Sequence, residues 1–241
     1  MLADLPARLA RLDLAELVKN LDGLLRSKGA RSQTAPLDVL LVHGKRTLPI
    51  ADMASVVLES DRIARAVLTH VRVAPLLCSV VVCIHPRPEI DAPVLLSDLR
   101  VAPSGRTSLY VDVAGPSVAR PSFMSGFHRP LCAVLDRLDR SIQRTPTPGW
   151  MAPLAGGCGA NLHVHRTESS RLVRVLIDYV DTYVDALRVA PAAPDASANA
   201  ASARSVADVV RANGAAGRHL ARAFGDAPAA RYLRLLWNEA A

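Results

Sequence analysis

The sequence predicts one α/β domain with a β-sheet at its centre and helices packed against it. Three observations predict it. Residues 76–84 (LLCSVVVCI) form a nearly continuous β-branched run, the composition of a strand covered on both faces. Two shorter apolar runs follow, 94–101 and 108–113, joined by a Ser104-Gly105 turn signal, so this part reads as an antiparallel meander. Segments with apolar residues at helical spacing flank this centre on both sides.

Taken in order, residues 5–25 set Leu5, Leu9, Leu12, Leu17, Leu21 and Leu24 on one face of an amphipathic helix. Residues 27–36 read as a loop, so 1–36 is an N-terminal helix and loop. Short strands are expected over 37–42 and 51–58, with the polar connection His43-Gly44-Lys45-Arg46 between them. Periodicity leaves 62–71 open between strand and helix. The central strand stops at His85-Pro86-Arg87-Pro88, because proline cannot donate to a sheet ladder. Residues 131–142 carry Leu131, Leu135, Leu138 and Ile142 at helical spacing, and prolines in 145–149 break that helix. A short strand fits 161–165. Residues 168–187 predict a long helix with Leu172, Leu176, Tyr179, Tyr183 and Leu187 on its apolar face. Residues 190–205 (APAAPDASANAASARS) are low in complexity and read as a mobile surface loop. Residues 206–210, 219–224 and 229–237 read as helical. Too little chain follows the loop for another core, so 1–241 is expected to be a single domain.

Half of the residues are hydrophobic but only 4% are aromatic, so Val, Leu, Ala and Ile must fill most of the core. The formal net charge is +7, spread through the chain without a basic block, which does not point to nucleic acid. It suits an acidic partner reached by electrostatic steering. Cys78, Cys83, Cys132 and Cys158 fit no common zinc spacing and no small disulfide scaffold, so they are expected as reduced thiols in a cytoplasmic protein. The N-terminus carries acidic residues and lacks an uninterrupted apolar core, so it does not read as a secretory signal. No stretch is long and apolar enough to span a bilayer. A monomer is expected.

Neither nucleotide fingerprint is present, no G-x-S-x-G elbow supports a hydrolase triad, and no bound cofactor or metal is expected. Gly156-Gly157-Cys158-Gly159 lacks the lysine and following helix of a phosphate cradle and reads as a tight turn before a strand. His163 and His165 would share one strand face, but no third ligand is evident nearby, so they read as solvated strand histidines. Asp98 and Asp112 stand inside apolar strand segments, where aspartate is unfavourable. By strand alternation alone, both read as the solvent-facing half of their strands. Burial of either would raise its pKa and make a proton donor available near neutral pH.

The run from His85 through Pro86, Pro88 and Pro93 to Asp98 changes that balance. It resembles a signature of the ferredoxin-dependent bilin reductases: an apolar strand, a P-x-P turn, a short spacer, then proline, apolar residues and an aspartate. Asp112 is similar to the aspartate ending the next strand in that family. Leu220 to Asp226, the segment 230–234 and the apolar residues 235–237 are similar to its closing element. Trp150 and the helix from Arg171 to Tyr179 match in order. The resemblance covers roughly residues 61–237 and marks a divergent member.

It implies a three-layer α/β/α sandwich with a central antiparallel sheet. It implies a linear tetrapyrrole such as biliverdin, held between the sheet and the helices on one face. Single electrons would come from reduced ferredoxin, with no metal or flavin bound, and protein side chains would deliver protons. By residue matching, Asp98 is the catalytic proton donor. Asn213 matches the family's asparagine, and Arg211, Arg218 and His85 are expected to join it in binding substrate. A family histidine before the P-x-P turn falls here on Val81, an upstream glutamate on Thr69 and a second aspartate on Gly214. These departures leave two readings: a reductase of a bilin or of another tetrapyrrole such as a chlorophyll catabolite, or a non-catalytic tetrapyrrole-binding protein that retains the pocket.

Overall fold

The computed structural model describes residues 13–34, 41–43, 50–74, 77–102, 104–115, 118, 120–147, 149, 155–213 and 216–237. Helix α1, Leu14–Ser27, opens under an N-cap: the Asp13 carboxylate accepts the backbone N–H groups of Ala15 and Glu16. Its residues Leu14, Leu17, Leu21 and Leu25 are buried. The part of the expected 5–25 helix before Asp13 lies outside the described residues.

The strands are β1 (Arg31–Ser32), β2 (Leu41–His43), β3 (Ile50–Glu59), β4 (Ile63–Ala74), β5 (Leu77–Pro86), β6 (Val94–Val101), β7 (Arg106–Ala114), β8 (Gln143–Thr145) and β9 (Ala160–His165). They make one sheet in the order β1-β3-β4-β5-β6-β7-β9-β8, with β2 also paired to β3. Every pairing is antiparallel. The segment that periodicity left open, 62–71, is β4: its β-branched and apolar residues pair on both sides, with β3 and β5. Most of the strand expected over 37–42 lies outside the described residues, and only Leu41–His43 is seen as β2.

Strand alternation sends two apolar sets to opposite faces. Leu68, Val80, Val82, Leu95, Leu99, Leu109 and Val111 pack against α1, α2 (Arg129–Asp136) and α3 (Ser169–Val189). A short turn, Pro121–Phe123, and a π-helical segment, Met124–His128, lead into α2. On the opposite face Met53, Val67, Val71, Cys83 and Leu96 pack against α4 (Ala196–Asn213), α5 (Ala216–Phe224) and α6 (Asp226–Leu236). This is the expected α/β/α sandwich.

Two helix expectations need correction. Residues 190–205 are not a loop throughout, because α4 begins at Ala196. The two prolines of that segment precede the helix, Asp195 accepts the N–H of Ala198, and the alanine-rich run that follows has high helix propensity. Helix α2 stops at Asp136 rather than running to 142. Ile142 is still buried, but from the turn that follows.

Candidate functional site

The site lies on the sheet face beneath α4, α5 and α6. Pairing lines up one residue from each central strand: Ser55 opposite Thr69, Thr69 opposite Val81, Val81 opposite Asp98, and Asp98 opposite Tyr110. Directly paired residues point to the same face. Val81, where the resemblance loses its histidine, is therefore the lateral neighbour of Asp98, and Thr69, where it loses its glutamate, lies one strand further along the same row. Thr69 is fully buried and its hydroxyl bonds that of Ser55 at 2.9 Å.

The Asp98 side chain is 20% exposed. Its Oδ2 accepts from Nε of Arg100 at 2.6 Å, and Nη2 of the same guanidinium also contacts it. Its Oδ1 is buried and accepts no hydrogen bond. The Tyr110 and Tyr232 hydroxyls and the Trp237 Nε1 are likewise buried without a well-aligned partner. The Tyr232 hydroxyl lies beside Thr69 and the Tyr110 hydroxyl beside Asp112. Buried polar atoms are nearly always satisfied. A set of unsatisfied ones in one layer marks a place where a ligand can supply the missing partners.

Asp112 follows Tyr110 by two residues on β7 and is only 1% exposed. Its carboxylate accepts the Val113 N–H at 2.8 Å. Strand alternation alone made it solvent-facing. It is buried instead, because helices and the glycine segment cover this face. That segment is a bulge: Ala155 bridges Ala114 and Ala160 pairs with Val111, so residues 156–159 have to loop out past Asp112. Gly157 takes φ +72°, and a Cβ on Gly159 would sit 2.1 Å from the Asp112 carboxyl carbon. Burial pushes the Asp112 pKa up to about 6, against the opposing pull of the Val113 and Gly156 N–H groups and Tyr110.

A cavity of about 450 Å³ opens on the same face, where the end of β5 and the start of β6 meet α4 and Trp237. Ala92, Val94, Ala114, Ala200 and Ala203 give it apolar walls, and His85, Arg87 and Arg204 are its ionisable lining. The His85 ring is buried, with its Nε2 2.8 Å from the Leu236 carbonyl oxygen and 3.1 Å from the Cys83 sulfur. It meets Trp237 edge to face, with centroids 5.9 Å apart. Burial pulls the His85 pKa down to about 4, so the imidazole is neutral near pH 7. The cavity starts beside Val94, four residues along β6 from Asp98, a span of roughly 13 Å.

Of the expected binding residues, His85 lines the cavity. Arg211 and Arg218 are exposed on α4 and α5 and do not line it, and Arg211 pairs with Asp208 at 3.1 Å. The Asn213 side chain, Gly214 and Trp150 lie outside the described residues. Sequence reading missed Asn199 and Arg204, because both fall in the segment read as a loop. Asn199 is 7% exposed; its amide donates to the Pro88 and Ile90 carbonyls, and its oxygen accepts from Arg120. Arg120 also pairs with the buried Asp91. This network ties α4 to the turn after β5. Among the described residues, no cluster of His, Cys, Asp or Glu is placed to hold a metal, the four cysteines are unpaired, and no helix is long and apolar enough to cross a membrane.

The fold belongs to the class of three-layer α/β/α sandwiches built on one antiparallel sheet. Within it, the chain is similar to the crystal structure of selenomethionine phytochromobilin synthase from tomato in complex with biliverdin. The TM-score is 0.72 at 12% identity, over 91% of this chain and 82% of that one. No family model and no curated protein matches the chain.

Proposed function

We propose that the chain binds a linear tetrapyrrole between the sheet and α4–α6 and reduces it with single electrons from reduced ferredoxin. The observation that carries this reading is the Asp98 row: a carboxyl oxygen without a partner, in a buried layer where the Tyr110 and Tyr232 hydroxyls and the Trp237 indole N–H also lack well-aligned partners. Lactam carbonyls and pyrrole N–H groups are the acceptors and donors such a layer lacks. The fold's likeness to a biliverdin complex supports the same ligand class.

Reduction of one double bond consumes two electrons and two protons. Each electron makes the conjugated system more basic, and a positioned acid then completes the step. Asp98 is the side chain assigned to that transfer. It contacts substrate through Oδ1, while Arg100 holds Oδ2 and fixes the carboxyl orientation. The protein contributes position and protons, and ferredoxin contributes the electrons.

A second reading has a specific observation behind it. Val81, beside Asp98, and Thr69, one strand further along, offer no titratable group in the row. A protein that binds the tetrapyrrole without reducing it would tolerate that composition. Anaerobic incubation with biliverdin, ferredoxin and a ferredoxin-reducing system separates the two. Bound biliverdin converted to a blue-shifted bilin supports the reductase. Bound but unchanged biliverdin selects the binding protein, and absence of binding overturns both.

A further inference from the structure

The cavity beside His85 has a lining whose chemistry selects a ligand. Its walls are alanines, Val94, Ile90, two prolines and Trp237, and among the described residues no carboxylate lines it, which argues against a cation site. Its His85 is neutral near pH 7 and adds no charge. Its two guanidiniums differ. Arg87 gives its Nε to the Ser60 carbonyl at 2.9 Å, whereas Arg204 stands exposed and makes no hydrogen bond or ion pair among the described residues. Arg120 lies close by in the fold but is committed to Asp91 and Asn199. Asn199, on the same wall, has its amide fully used in holding α4 to the turn after β5, so the wall that carries Arg204 is anchored. The Trp237 indole N–H has no partner. The combination is apolar walls and a free planar fork at the rim. It fits an apolar body bearing a carboxylate.

We infer that this cavity holds the carboxylate-bearing part of the ligand and that Arg204, not Arg211 or Arg218, is its anchor. The choice of a tetrapyrrole as ligand rests on the proposed function. The anchor itself rests only on the cavity. Between the cavity and Asp98, Leu96 is packed against α4–α6, so the placement concerns the acid-bearing end of the ligand alone.

The test uses the full chain and three probes followed by absorbance or fluorescence titration: biliverdin, its dimethyl ester and pyrenebutyrate. A charge-assisted guanidinium–carboxylate contact amounts to roughly a 10- to 100-fold difference in affinity. The ester is expected to bind that much more weakly than biliverdin. Arg204→Ala should weaken biliverdin and pyrenebutyrate by a similar factor and leave the ester unchanged, and Arg204→Lys should recover part of the loss. Arg211→Ala should have no effect. Equal binding of acid and ester, or equal weakening of both by Arg204→Ala, overturns the anchor while leaving the tetrapyrrole reading in place. Pyrenebutyrate binding that depends on Arg204, with no binding of either pigment, keeps the anchor and overturns the tetrapyrrole. No binding of any probe overturns both.

Discussion

Asp98 stands directly opposite Val81 in the antiparallel pairing of β5 and β6, on the face covered by α4–α6. An aspartate whose strand neighbour is an aliphatic side chain has no titratable partner on that side. Its charged partner is Arg100, two residues along its own strand. On its other side it pairs with Tyr110, so Asp98 is the one carboxyl group of the row. Asp98→Asn keeps the size and hydrogen-bonding capacity of the side chain and removes the transferable proton. It is expected to retain biliverdin binding and to lose product formation by about two orders of magnitude or more. Single-turnover absorbance after photoreduction of ferredoxin checks this, and an Asn variant with full turnover would remove Asp98 from its assigned role.

The net charge of +7 bears on the electron donor. An electron-transfer contact with an acidic protein is small, polar and steered by charge. Ferredoxin-driven turnover is expected to fall several-fold as ionic strength rises from about 0.01 to 0.15 M, where the Debye length shrinks from about 30 to about 8 Å. The same titration with a small neutral reductant should be flat. Turnover unaffected by salt while electron delivery limits the rate would show that charge does not recruit the donor.

The sheet was legible because its strands carry the periodicity that burial imposes. Residues 76–84 read as a strand covered on both faces, and β5 is central, with helices over each face. The site was legible only in part. Asp98 could be singled out because an aspartate in an apolar strand is conspicuous. The same signal was present at Asp112, but alternation alone cannot say whether the second face of a strand meets water or another layer. Over Asp112 the glycine segment 156–159 supplies that cover. Arg204 and Asn199 were hidden for a different reason: alanine, serine and proline together read as low complexity, although alanine without an intervening proline favours helix. Register, which makes Thr69, Val81 and Asp98 a row, depends on pairings between strands and cannot be seen within any one of them.

Asn199 gives the missed helix a measurable role. Its buried side chain donates to the Pro88 and Ile90 carbonyls and accepts from Arg120, all three of them half-buried. Asn199→Ala leaves two carbonyls and part of a guanidinium without partners, and is expected to cost about 3 kcal/mol. Equilibrium denaturation by urea checks the magnitude. Hydrogen exchange should show faster opening of α4 and of the turn at Pro88 than of β5 and β6. A loss spread evenly over the sheet would mean that Asn199 does not specifically tie α4 down.

Asp112 and His85 should give opposite contributions to stability between about pH 4 and 6. Asp112 has its pKa raised by burial from 3.8 to about 6. The fold therefore favours its protonated form, and its contribution is full below about pH 4 and is lost as pH rises to about 6. His85 has its pKa lowered by burial from 6.5 to about 4. The fold favours its neutral form, so its contribution is full above about pH 6.5 and is lost as pH falls toward 4. Each shift is about two units or slightly more, equivalent to about 3 kcal/mol, so the two slopes nearly cancel in the wild type. Asp112→Asn removes one of them. Relative to the wild type, the stability of this variant is expected to rise by about 3 kcal/mol between pH 4 and pH 7. His85→Gln removes the other and should fall by a similar amount over the same range. Urea denaturation at half-unit pH intervals, analysed as variant minus wild type, isolates each group from the remaining carboxylates. Two difference curves of the same sign would show that at least one of these side chains meets water rather than the interior.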